Sequence, residues 1–123
     1  MKKKTDMPLV YSCSGCSSAA QTANTIAIKM DRADIAEMSC IAGVGGDVKP
    51  LVRTAKSGRD IIALDGCPLA CTKHILARHD LEAKHHFVLT QFNVPKKNGV
   101  DPDPVLTEKV YNEIVDQLIV PTH

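Results

Sequence analysis

At 123 residues the chain has the length of one domain with one core. Fifteen Lys and Arg against fourteen Asp and Glu leave a net charge of +1, which gives no broad electrostatic case for nucleic acid. With two Tyr, two Phe and no Trp, a base-stacking platform is hard to assemble. No apolar run approaches the ~20 residues of a membrane span. Met7-Pro8-Leu9-Val10 is also shorter than the ~7–15-residue apolar region of a signal peptide. The expectation is a cytoplasmic protein with neither nucleic acid nor membrane as partner. Residues 1–6, with Lys2-Lys3-Lys4, read as a flexible, solvated basic tail on a single domain.

In chain order, Leu9-Val10-Tyr11-Ser12 predicts a short first strand, and Cys13-Ser14-Gly15-Cys16 a tight turn. Ser17 or Ser18 is placed to cap the next helix, whose apolar stripe is Ala19, Ala23, Ile26, Ala27 and Met30 and whose end falls near Arg32. Ala36 to Ile41 predicts a second strand and Ala42 to Asp47 a glycine-rich turn. A short helix then runs over Lys49–Lys56 with Pro50 in its first turn. Ile61 to Leu64 is apolar throughout, as in the buried strand of a parallel sheet. The next helix is predicted from Leu69 to Arg78, with Cys67 as N-cap and Pro68 at its first position, so that the helix dipole would favour thiolate at Cys67. His86 to Thr90 predicts a fourth strand. Asp103 and Pro104 open the last helix, with Leu106, Val110, Ile114 and Leu118 as its buried stripe.

Four strand–helix alternations predict an α/β fold: a small three-layer domain around an open sheet of about four mostly parallel strands. An order of 2-1-3-4 would put the switch point between the first and third strands, whose following loops carry the cysteine pairs.

The five cysteines are an odd number with uneven spacing, which argues against a disulfide framework. Cys13 and Cys16 form a C-x2-C pair. Cys67 and Cys71 form a C-x3-C pair about 50 residues on, and Cys40 stands between them. Four thiolates at one sheet edge suit a tetrahedral Zn²⁺ site. The same residues are also compatible with a thiol–disulfide oxidoreductase or sulfur-transfer protein, and with an iron–sulfur cluster.

Three stretches carry a resemblance: Cys13-Ser14-Gly15-Cys16, Cys40-Ile41-Ala42-Gly43-Val44-Gly45, and Asp65-Gly66-Cys67-Pro68-Leu69-Ala70-Cys71. With them the chain resembles, from about Leu9 to Leu118, the DGC-domain family of small bacterial and archaeal proteins. That resemblance implies zinc on the cysteines and leaves the biochemical role open. The metal ligands expected are Cys13, Cys16, Cys67 and Cys71, with Cys40 as a further candidate or else a strand cysteine packed in the core. With four protein thiolates the zinc would have no open position, which suits structure, sensing or metal handling.

Asp65 is expected to hold the turn through hydrogen bonds and Lys73 to offset thiolate charge; His74, three residues after Cys71, is within reach of a metal but reads rather as an exposed or capping histidine. His79, His85 and His86 have no ligand spacing. No Ser-His-Asp elbow is present.

Overall fold

The structure is a computed structural model that describes residues 6–119. The Lys2-Lys3-Lys4 run lies outside the described residues. Four parallel strands, β1 (Leu9–Ser12), β2 (Glu37–Met38), β3 (Ile61–Asp65) and β4 (His85–Val88), form one sheet in the order β2-β1-β3-β4. This is the expected order. Leu9 pairs with Glu37 on one side and Ile61 on the other, and Ile62 pairs with His85. Every residue of β1 and β3 is buried, as central parallel strands require.

Side chains alternate between the two faces of the sheet. Val10, Ile62, Leu64 and Phe87 pack against α1 (Ser18–Arg32) and α5 (Pro104–Ile119). Leu9, Tyr11, Ile61 and Ala63 pack against α2 (Ile41–Gly45), α3 (Lys49–Ala55) and α4 (Cys71–Arg78). The result is the three-layer α/β sandwich anticipated from the alternation. No helix among the described residues is long and apolar enough to cross a membrane.

Three elements differ from the sequence expectation. Strand β2 is two residues long, because it is an edge strand that leaves the sheet early. The Asp31 carboxylate accepts the outward Met38 N–H at 2.9 Å. Ser39 N–H makes a last bond to the Val10 carbonyl at 3.2 Å, and Cys40 then opens α2. The glycine-rich run is that helix rather than a turn. Ile41 and Val44, three residues apart, bury one side of it against the sheet, which outweighs the helix cost of glycine, ~1 kcal/mol each. Strand β4 ends two residues before Thr90, in a 3₁₀ turn over Leu89–Phe92 that sinks Leu89 into the core.

The two long helices start where their caps direct. Ser17 Oγ accepts the Ala20 N–H at 3.1 Å. Asp103 Oδ1 accepts the N–H groups of Val105 and Leu106 at 2.8 and 3.2 Å, with Pro104 as the first residue of α5. Of the predicted α5 stripe, Val110 and Ile114 are buried and Leu106 and Leu118 half-buried. Replacing Asp103 by Ala removes an exposed cap and should lower stability by about 1 kcal/mol. Chemical denaturation with an unchanged m-value is the check.

Candidate functional site

The crossovers from β1 and β3 leave in opposite directions, so the crevice between them opens at the C-terminal edge of the sheet. Cys13 follows β1 there, and Asp65 is the last residue of β3.

Asp65 is fully buried. Its Oδ1 accepts the Thr72 N–H at 2.8 Å and its Oδ2 the Lys73 N–H at 3.3 Å. Oδ2 also meets His86 Nε2 at 2.8 Å. A carboxylate at the strand end thus caps the first turn of α4, where free N–H groups and the helix dipole favour negative charge. The expected turn-holding role of Asp65 is seen, and His86 is a partner that the sequence reading passed over.

The start of α4 corrects the sequence reading. Cys67-Pro68-Leu69-Ala70 is a turn closed by Ala70 N–H to the Cys67 carbonyl at 3.0 Å, with Pro68 at its second position. Ala70 takes the left-handed conformation, φ 51°, and the helix begins at Cys71. Cys67 is therefore not the N-cap, and the C-x3-C pair does not share a helical face. The sulfur at the helix start belongs to Cys71.

Gly66 is required by close approach. A Cβ there would lie 2.6 Å from Ala20 N and 2.7 Å from Ala19 C, both backbone atoms in the first turn of α1. Its N–H donates to Cys13 Sγ at 3.2 Å and its carbonyl accepts the Thr90 N–H at 3.2 Å. The Asp-Gly-Cys triplet thus has a capping carboxylate and a close-packed, thiol-binding glycine as its first two members.

Cys13 is half-buried, packed against the α1 face of the core, and anchored by its N–H to the Leu64 carbonyl at 3.1 Å. Burial pushes its thiol up from the ordinary range, and hydrogen bonding from Gly66 opposes this. The charge of Asp65 raises it further, hydrogen bonding from Gly15 lowers it, and the charge of Cys71 raises it. Cys13 and Cys71 are therefore within electrostatic reach of each other, both beside Asp65-Gly66.

The remaining cysteines are dispersed. Cys16 is exposed, with its Sγ donating to Asn98 Oδ1 at 3.8 Å. The 95–98 loop is docked there by Ser18, whose N–H donates to the Lys97 carbonyl at 2.8 Å and whose Oγ donates to the Pro95 carbonyl at 2.8 Å. Cys67 is half-buried in its turn. Cys40 is exposed at the start of α2, lining a cavity of about 440 Å³ that also includes Ser14, Asp31 and Met38, so it is not a packed strand cysteine. His74 is exposed, as expected. His79 Nε2 lies 2.9 Å from the Val44 carbonyl and 3.1 Å from Asp47. Among the described residues, no three side chains of His, Cys, Asp or Glu converge closely enough to hold a metal ion. The cysteines are thus spread along one edge of the sheet, with Cys13 half-buried and Cys71 exposed on either side of Asp65-Gly66.

The DGC domain family matches residues 9–114, and the chain belongs to that family. It is 52% identical over 115 residues to a protein of Pseudomonas aeruginosa named anaerobic and virulence modulator AnvM, covering 94% of this chain and 87% of the relative. No solved structure matches.

Two outcomes follow from this geometry. Gly66→Ala forces backbone against backbone and should destabilise by about 1–3 kcal/mol, read as a lowered denaturation midpoint. The second concerns alkali. Tyr11 is fully buried with a hydroxyl lacking a well-formed hydrogen bond, and burial raises its pKa, as it does for Cys13. Both groups hold their protons more tightly when folded. Their contribution is complete below the ordinary thiol range, ~8.5, and is lost as pH rises through the raised folded values. Stability by urea titration should fall steadily above that range, and less so in Cys13→Ala.

Proposed function

We propose that this DGC-family chain is a regulatory protein acting through thiol chemistry at the switch point of its sheet, with Cys13 and Cys71 as the working pair. The observation that carries this reading is that Cys13, whose sulfur takes the Gly66 N–H, and Cys71, which directly precedes the α4 N–H groups that Asp65 caps, border the same Asp65-Gly66 step. The exposed Cys71 is the accessible partner. It attacks a low-molecular-weight disulfide, displacing one thiolate and forming a mixed disulfide. Cys13, shielded and held protonated until then, loses its proton to solvent, attacks the Cys71 sulfur and displaces the second thiolate. Two protein thiols and one small disulfide become one protein disulfide and two small thiols, with two electrons passed to the oxidant.

The relative's name supports a regulatory role, and its anaerobic context is one to which thiols respond. Five free cysteines suit a reducing, cytoplasmic setting.

A second reading is zinc on Cys13, Cys16, Cys67 and Cys71, with Cys40 as a further candidate. It is favoured by the two cysteine pairs lying on loops that follow adjacent strands. It asks Cys16 to leave Asn98 and Cys67 to turn inward. A bound zinc would supply a closed, tetrahedral cross-link between the two loops.

One preparation separates the readings. Protein purified under reducing, oxygen-free conditions is analysed for metal, then exposed to oxidised glutathione and mapped by mass spectrometry. The thiol reading expects little metal, loss of two of the five thiols, and a Cys13–Cys71 disulfide that Cys71→Ser abolishes. About one zinc per chain, lowered by Cys16→Ser and by Cys67→Ser, would establish the metal reading. Five thiols unchanged by oxidised glutathione in metal-free protein would reject both.

A further inference from the structure

Behind α4, away from Cys40 and its cavity, lies a second concavity of about 520 Å³, within the range of small-molecule sites. Four charged or ionisable residues line it: Lys73, His86, Asp80 and Glu82. Leu76 and Leu81 supply apolar wall between them. Lys73, Asp80 and Glu82 make no ion pair with one another or with any other described residue. The opposite charges around this cavity therefore lie beyond ion-pair distance of one another.

The separation follows from the helix. Lys73 lies in the first turn of α4, and Asp80 and Glu82 follow its last residue, Arg78. At ~1.5 Å per residue, the helix alone puts about 7.5 Å of rise between Lys73 and Arg78. His86 belongs to the cationic end, because it meets Asp65, whose carboxylate also holds the Lys73 N–H. The Asp65 bond occupies Nε2, and Nδ1 has no hydrogen-bond partner among the described residues. The ring thus has one nitrogen fixed and one open to a ligand, an acceptor when neutral and a donor when charged.

We infer that this cavity binds a small dipolar molecule, with an anionic group at Lys73 and His86, a cationic group at Asp80 and Glu82, and a short apolar spacer over Leu76 and Leu81. A carboxylate with a distal amine is the simplest member of the class. Binding there requires no thiol step, and its test uses fully reduced protein, so either reading can fail alone.

The probes are 6-aminohexanoate, hexanoate and hexylammonium, titrated into isotopically labelled protein and followed at the His86 ring and the Leu76 and Leu81 methyl groups by NMR. 6-Aminohexanoate should shift all three residues saturably and bind about tenfold or more tighter than either singly charged probe, a difference of about 1.4 kcal/mol. Lys73→Met and Glu82→Gln, both at exposed positions, should each erase that advantage while circular dichroism stays unchanged. Equal affinity for the three probes, shifts confined to other residues, or an advantage that survives both substitutions would overturn the proposal.

Discussion

The buried carboxylate of Asp65 is the interaction on which the rest of this edge depends. A lone ionised carboxylate in a protein interior is strongly disfavoured unless it is hydrogen-bonded or paired. Here it has three partners from two directions: two N–H groups of α4 and the ring of His86 on β4. Each of these elements would lose its attachment with the side chain. Helix α4 has Ala70 at its cap position, in a left-handed conformation and without a side-chain oxygen. Asp65 supplies from the neighbouring strand what the local sequence lacks. The same charge acts on Cys13, so the group that fixes the helix also tunes the thiol.

Gly66 makes that arrangement compact. With no Cβ, it lets the end of β3 press against the first turn of α1, where a larger residue would meet backbone atoms. That contact brings its N–H to Cys13 Sγ and its carbonyl to Thr90. Strand β1, helix α1 and the segment after β4 are thus joined through one residue. Cys13 belongs to this packed seam, whereas Cys16, Cys40 and Cys71 lie at the surface. The chain therefore offers thiols of two kinds at one edge, shielded and accessible, and that difference underlies a division between attacking and resolving cysteines.

The layered fold was legible because burial leaves a strong periodic mark. The uniformly apolar Ile61–Leu64 could hardly be other than a central strand, and Asp103-Pro104 announces a helix start by side chain and ring geometry together. The beginning of α4 was not legible, since Pro68 fits the first position of a helix and the second of a turn equally well. What decides is the left-handed Ala70, and alanine carries no mark of that conformation. His86 was missed because it reaches Asp65 through strand pairing, not through sequence spacing: Ala63 pairs with His86, and Asp65 is two residues on. Strand order brought the cysteine loops to one edge, as anticipated. The direction of each sulfur was set afterwards by turns, and by the 95–98 loop that holds Cys16, none of which the spacing encodes.

Helix α4 separates two chemically different surfaces, with Cys71 at its start and the charged cavity along its side. They share Asp65 through Lys73 N–H and His86. A ligand that drew His86 toward itself would weaken its bond to Asp65, leaving more of that negative charge to act on Cys13. By linkage, any such effect must run both ways: a change in the ionisation of Cys13 would alter ligand affinity by the same factor. Such a coupling would need no large motion, because the Asp65 carboxylate bonds His86 at the cavity and its charge also acts on Cys13. Its sign is also fixed by electrostatics. Withdrawing the imidazole from Asp65 makes the surroundings of Cys13 more negative, and so keeps the thiol protonated to higher pH.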